Sequence, residues 1–307
     1  MGALFAILSA VGFGLTLSFI QLGLRGGRVT SGDGMMISLI AGTAVLVVAL
    51  AVSASVEPMH IQWQGVAYFV LAGLMAPLFG RGVSVLATER IGSTRAASLG
   101  VSEAFIAAPL AYLFLDQGVS QLSAIGIVVI AVGTVLFINE SRRFVGDPDD
   151  PPHLAVQSRR AAVLGVAFGL SAGLFFAMAG IFRQMGVDAI PSALVGSAIG
   201  SAVALVVFGV DAARRRRLTA WARAPRRPAA MFALSGLAGS FGNLTFLWAL
   251  DNNGTVAVST AIKNTSPIFT FLFAAAFMAR RERIGLRLGL LVLMVAAGAV
   301  LAALGRG

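Results

Sequence analysis

The sequence predicts an all-α integral membrane protein whose ten transmembrane helices form two inverted-topology repeats of five helices. Hydrophobic residues make up 58% of the 307 residues, charged residues only 12%, and the mean hydropathy is +0.89, which is not the composition of a soluble protein. The apolar residues form continuous runs rather than alternating patterns, which favours helices over strands. The two halves of the chain also repeat each other at a nearly constant offset.

Ten apolar stretches approach the roughly 20 residues that a helix needs to cross a bilayer. Most connections between them are short, but Glu140 to Arg160 is long and rich in Asp and Pro, and Asp211 to Pro228 is rich in Arg. We therefore predict a first repeat over residues 1–139, a polar linker over 140–160 and a second repeat over 161–307. The predicted spans are approximately 2–22, 33–53, 64–87, 94–115, 121–139, 161–183, 191–210, 229–250, 255–278 and 285–304.

The repeat is visible in the spacing of glycines. Gly12 in the first span corresponds to Gly173 in the sixth, an offset of 161 residues, and the string GLMAPLFG from Gly73 resembles GLAGSFG from Gly236. Each repeat holds an odd number of spans, so the second repeat starts on the opposite face of the membrane. Inverted repeats of this kind are typical of secondary transporters, which place the substrate site near the midplane, at the repeat interface.

Composition argues against several classes of protein. Cysteine is absent and the two histidines, His60 and His153, lie in polar connections, so we predict no metal site and no cofactor. The net charge of +10 does not indicate nucleic-acid binding, because the arginines cluster at the ends of apolar runs, where basic residues set membrane orientation.

The segment from Gly254 to Gly289 resembles the EamA-type branch of the drug/metabolite transporter superfamily. It combines a glycine before a small-residue helix, Pro267 in mid-helix, and an acidic turn at Glu282. The first half repeats the pattern, with Asp116 where the family usually has Glu. The resemblance covers essentially the whole chain. It implies a transporter rather than an enzyme, with a central substrate cavity lined by spans three, four, eight and nine.

Polar and ionisable residues fall within the same four spans. Lys263, the one lysine of the chain, lies inside the apolar stretch from Thr255 to Met278. An ammonium group at membrane depth costs at least about 2.5–3.5 kcal/mol, so it requires a partner or a function. Arg81 and Asn243 are 162 residues apart, and Glu103 and Lys263 are 160 apart. The pseudo-twofold symmetry therefore predicts that Glu103 and Lys263 face each other near the midplane.

Helical spacing extends this candidate site along span nine, where small polar residues share the face of Lys263. A proline precedes Arg81 by one turn in span three and another follows Lys263 by one turn, and each removes a backbone hydrogen bond. The candidate substrate-binding or coupling residues are Lys263, Glu103, Arg81, Asn243, Asn264, Ser259, Ser266, Thr270 and Trp248, and the predicted hinges are Pro77 and Pro267.

Each of these residues also has a structural interpretation. Lys263 and Glu103 form, on that view, an ion pair that locks two helices. Arg81 would extend its side chain toward the membrane surface, Asn243 would hydrogen-bond a neighbouring helix, and Trp248 would anchor the helix end at the interface.

The charges of the predicted cavity indicate the kind of solute. With Arg81, Lys263 and Glu103 ionised, the cavity carries a net charge of +1, which favours an anionic group on the substrate; alternatively, Glu103 exchanges protons. We therefore expect a secondary active transporter, an exporter of a small anionic or zwitterionic organic metabolite, with protons as a second partner. The alternatives are a lipid-headgroup flippase of the same fold and a membrane enzyme acting on lipid-linked phosphate.

The expected location is a bacterial-type cytoplasmic (inner) membrane, which the chain crosses many times. Nearly all arginines lie in the connections after odd-numbered spans, so the positive-inside rule places both termini outside, whereas the family resemblance implies both inside. We favour the charge rule because the bias is large. Small-residue faces at Gly126, Gly133 and Gly298 permit close helix contacts within or between chains, which leaves monomer and homodimer open.

Overall fold

The computed structural model describes residues 1–24, 29–56, 62–80, 83–84, 86–87, 90, 99–145, 159–214, 221, 224–252, 255–277 and 286–305. The regular structure of these residues is helical throughout. The helices are α1 (Gly2–Leu24), α2 (Ser31–Val56), α3 (Trp63–Leu74), α4 (Ser102–Leu115), α5 (Gln121–Val145), α6 (Arg159–Ala189), α7 (Ala193–Arg214), α8 (Arg226–Asp251), α9 (Val256–Lys263), α10 (Ser266–Phe277) and α11 (Leu286–Leu304).

The helices confirm the predicted fold class, and each predicted span overlaps a described helix. Within the described residues, eight helical segments are long and apolar enough to cross a membrane. The fourth predicted span corresponds to α4, which has 14 described residues. The ninth corresponds to two consecutive helices, α9 with 8 residues and α10 with 12 residues.

Two helices extend beyond their predicted ends. Helix α5 continues to Val145, and α6 runs from Arg159 to Ala189, past the predicted end of the sixth span at residue 183. The helices therefore reach into both sides of the predicted 140–160 linker. The division of the chain into 1–139, 140–160 and 161–307 stays a prediction. The longer α6 is important for the site, because it carries a charged residue into the membrane.

Both predicted hinge prolines lie where a helix is irregular. Pro77 lies in a π-helical segment, Met75–Gly80, that continues α3. Pro267 follows a two-residue break between α9 and α10, in which the Thr265 amide and the Thr265 hydroxyl both donate to the Ile262 carbonyl. Proline has no N–H and its ring crowds the preceding turn, so neither position continues a regular α-helix. That these irregularities act as hinges stays a prediction.

The two halves pack against each other in matching ways. Helix α1 contacts α8 and α10, and α6, its counterpart in the second half, contacts α3 and α4. Two phenylalanines 163 residues apart in sequence fill equivalent spaces, each against a pair of glycines at which a Cβ atom would collide with the ring. The matching contacts are Phe69 with Gly186 and Gly196, and Phe232 with Gly23 and Gly34.

The small-residue faces of the fifth and tenth spans are used within the chain. Helices α5 and α11 pack directly on each other. A Cβ atom on Gly298 would lie 2.9 Å from the Ile130 backbone nitrogen, and one on Gly133 would lie 2.6 Å from Val295 Cγ2. The Ser123 hydroxyl donates to the Ala302 carbonyl at 3.0 Å. These glycines thus join the two repeats and carry no argument for a dimer.

Candidate functional site

A cavity of about 560 Å³ lies between the two halves. Described residues of α1 to α4 and of α6 to α10 line it, whereas α5 and α11 do not contribute. The volume falls in the range of about 300–1,000 Å³ that is usual for small-molecule sites. The cavity is thus a candidate substrate site with walls from both repeats.

A buried apolar cluster around Phe69, which also lines the cavity, borders one end of it. This Phe69 cluster includes Leu250 near the end of α8 and Val256 at the start of α9, and Leu115 at the end of α4 packs against it. All of these positions lie next to connections that follow even-numbered spans. The Phe69 cluster therefore lies at the end opposite the arginine-rich connections. Toward the arginine-rich face the walls continue through Ile20, which lies near the end of α1.

Lys263 and Glu103 meet in the wall of this cavity. The Lys263 Nζ donates to Glu103 Oε1 at 2.6 Å, and the two side chains are 13% and 7% exposed. Local structure favours both positions, because Lys263 is the last residue of α9 and Glu103 lies in the first turn of α4. A cation at a helix C-terminus and an anion at a helix N-terminus are each favoured by the helix dipole. Both residues line the cavity, so the pair is accessible to a solute inside it.

The break between α9 and α10 shapes the wall beside the ion pair. Asn264, Ser266 and Pro267 all line the cavity. Non-helical backbone at membrane depth is tolerated only where protein or a water-filled cavity covers it, and here it faces the cavity. The Asn264 Nδ2 is buried and has no hydrogen-bond partner among the described residues. It is a donor that this arrangement of the wall leaves without a partner among the described residues.

Arg183 is a cavity residue that the sequence analysis did not select. It was placed at the end of the sixth span, but α6 continues six residues further to Ala189, and Arg183 lines the cavity. Its Cζ lies 5.6 Å from the centroid of the Phe246 ring, and Lys263 Nζ lies 5.1 Å from the same centroid. The signal in the sequence was the further apolar residues after Arg183, among them Met185 and Val187, which continue the span.

The other predicted site residues divide into those at the cavity and those away from it. Asn243 lines the cavity. Ser259 is fully buried outside the described lining, and Thr270 donates to the Ser266 carbonyl at 3.1 Å and the Gly14 carbonyl at 3.4 Å. Thr270 does not continue the Lys263 face, because the break at residues 264–265 changes the helical register between α9 and α10, whereas Ser259 precedes Lys263 by one turn within α9. Arg81 lies outside the described residues.

Trp248 also lies away from the cavity. Its ring is 5.6 Å from that of Phe5 on α1, and the residue is 37% exposed near the end of α8. This position fits the interfacial-anchor interpretation better than a substrate contact. Its predicted role in binding stays untested.

The described part of the cavity holds three formal charges, from Lys263, Glu103 and Arg183, and they sum to +1 when all are ionised. No three His, Asp or Glu side chains come together in the described part of the chain in a way that would hold a metal ion. The described site thus offers charged and hydrogen-bonding groups for an organic solute.

Comparison with known proteins gives a consistent picture. The model of the EamA-like transporter family matches residues 1–139 and 163–304. A solved crystal structure of a protein superimposes with a TM-score of 0.66 over 97% of this chain and 96% of that chain, at 15% sequence identity. At this identity the likeness shows the fold alone. A search of curated proteins found no match.

Proposed function

The chain belongs to the EamA-like transporter family and is a multi-pass membrane transporter of the drug/metabolite superfamily, and from that premise we propose that it is a secondary active exporter of a small organic anion or zwitterion. The proposal includes a bacterial-type cytoplasmic membrane as its location and protons as the coupling ion. The observation that carries it is the Lys263–Glu103 ion pair in the wall of a cavity between the two repeats.

The ion pair supplies a physical basis for coupling. A buried charge that loses its partner is costly, so Lys263 needs an anion and Glu103 needs a cation or a proton in every state of the transport cycle. A proton arriving at Glu103 removes the negative charge of its carboxylate, and an anionic group of the substrate then supplies the negative charge of the site. Binding of the proton and binding of the anion are thereby linked, which is the requirement for proton-coupled transport.

Arg183, the other cation of the described cavity, also favours binding of an anion. Helices α5, α6 and α9 pack against α4, which carries Glu103. Within the described residues, the charged groups of these three helices that line the cavity with Glu103 are Lys263 and Arg183. Both are cations, so neutralising Glu103 raises the net charge of the described site from +1 to +2. Protonation therefore strengthens the attraction for an anion.

The position of the Phe69 cluster is compatible with the proposed direction. The cluster lies at the end of the cavity opposite the arginine-rich connections. The positive-inside rule makes the arginine-rich face cytoplasmic, so this buried apolar layer lies on the outer side of the cavity, where an exporter needs a barrier while it loads its substrate.

The test of this proposal is transport by the purified protein in proteoliposomes. Organic anions and zwitterions are first screened for thermal stabilisation of the protein, and uptake of a stabilising compound is then measured with and without a pH gradient. We expect the gradient to drive accumulation by the wild type. Uptake that ignores the gradient, combined with normal transport by Glu103→Gln, would contradict the proposal.

The Glu103→Gln variant should retain substrate exchange and lose the coupling of transport to protons. The amide keeps the shape of the side chain but cannot cycle between charged and protonated forms, so substrate exchange continues while the pH gradient no longer drives accumulation. Initial rates of exchange and of gradient-driven uptake are the measurements. Glu140→Gln is the matched control, because Glu140 lies outside the cavity and its carboxylate is 3.9 Å from exposed Arg287.

A further inference from the structure

We propose that Arg183 is the residue that binds the anionic group of the substrate, and that the substrate class is organic carboxylates with an apolar body. This inference rests on the proposed transport function and makes it more specific. It concerns a residue that lines the cavity in the structure and is not among the site residues predicted from the sequence.

The two cations of the described cavity differ in their partners. Lys263 donates to Glu103 at 2.6 Å, so its charge is already matched by a carboxylate. No described carboxylate lies within ion-pair distance of the Arg183 guanidinium. The guanidinium lies over the Phe246 ring and interacts with Glu103 only at longer range. The net charge of +1 in the described site is therefore available at Arg183.

The chemistry of arginine fits this role. Its guanidinium is planar, stays charged and presents five N–H donors in a fork that matches the two oxygens of a carboxylate. An aromatic ring that contacts a guanidinium through its face accepts no hydrogen bond from the N–H groups, which lie in the plane of the guanidinium. The contact with Phe246 thus leaves the guanidinium donors for a ligand.

The remaining walls indicate the body of the substrate. Phe13 and Leu17 of α1, Leu39 of α2 and Phe176 of α6 line the same cavity as Arg183. Most ligand sites combine an apolar wall with a few polar groups that fix orientation. A carboxylate at Arg183 with an apolar chain or ring along these walls satisfies both parts of the cavity.

The experiment uses the absence of natural cysteine in the chain. Ser201→Cys places one thiol in the cavity wall on α7, and the rate of maleimide labelling is measured on purified protein. Three probes share one body: 3-phenylpropionate, 3-phenylpropanamide and 3-phenylpropylamine. We expect the carboxylate to slow labelling at a concentration at least about tenfold below that needed for the amide, and the amine to give no protection.

Variants of Arg183 assign this preference to the residue. Arg183→Gln should raise the protective concentration of the carboxylate about ten- to hundredfold, as expected for losing a hydrogen-bonded charge, and leave that of the amide unchanged. Arg183→Lys keeps the charge without the fork and should fall in between. Arg214→Gln, at an exposed position in the last turn of α7, is the control for loss of one arginine.

Three results would overturn the inference: no protection by the carboxylate in the wild type, equal protection by carboxylate and amide, or an Arg183→Gln variant that keeps the wild-type preference. Equal weakening of all protective probes in Arg183→Gln also counts against it, because that result indicates a structural role. The labelling rate without probe reports the folding of each variant. Gradient-driven uptake in proteoliposomes is independent of these outcomes, so the inference can fail while the transport function stands.

Discussion

Replacing Lys263 with alanine is expected to abolish transport and to lower the free energy of unfolding by about 3–5 kcal/mol. The substitution leaves the Glu103 carboxylate, only 7% exposed, without the cation that lies 2.6 Å from it. A buried charge without a partner is among the most destabilising changes in a protein interior. Thermal unfolding in detergent and uptake in proteoliposomes measure the two effects.

A second substitution separates the structural interpretation of this pair from the functional one. Lys263→Met combined with Glu103→Met removes both charges and keeps the side-chain volumes similar. Replacing a buried ion pair by apolar residues is often neutral or stabilising, so the double variant should regain most of the stability that Lys263→Ala loses. A double variant as unstable as Lys263→Ala would show that packing, rather than the unpaired carboxylate, explains the loss.

The second large effect is expected at the contact between α1 and α8. A Cβ atom on Gly12 would lie 2.7 Å from the Gly242 Cα and 2.8 Å from its nitrogen, and Ser9 Oγ donates to the Gly242 carbonyl at 2.8 Å nearby. Because the obstacle is backbone, Gly12→Ala must push the helices apart. We expect a loss of about 1–3 kcal/mol, and impaired transport, since α1 and α8 belong to opposite repeats.

Gly209→Ala in α7 is the matched control, because no atom lies within 4 Å of the Cβ it would add. The same methyl group there should leave the unfolding temperature unchanged or raise it slightly, since alanine has the higher helix propensity. Equal unfolding temperatures for Gly12→Ala and Gly209→Ala would contradict the close packing of α1 on α8.

Much of the fold follows from simple features of the sequence. Span length and continuous apolar runs predict the helices, and the offset of 161 between Gly12 and Gly173 predicts the repeat. The contact of Glu103 with Lys263 also follows from symmetry, because residues at the repeat offset lie on equivalent helices facing one axis. These features recur at regular intervals along the chain, and therefore the amino-acid sequence alone is enough to predict them.

The parts of the site that the sequence did not predict depend on where a regular helix ends. Arg183 is not among the predicted site residues because the predicted sixth span ends at this charged residue, whereas a cavity allows a helix to carry such a residue into the membrane. Thr270 is predicted by extending the Lys263 face through residues 264–265, where the structure has a break.

The central claim is that the Lys263–Glu103 pair performs transport rather than holding two helices together. The most direct measurement is substrate uptake by proteoliposomes containing the Lys263→Met, Glu103→Met variant, at matched protein content and after its stability has been verified. We predict a folded protein with no gradient-driven uptake and no exchange. Wild-type uptake by this charge-free variant would show that the pair is structural and would contradict the proposed mechanism.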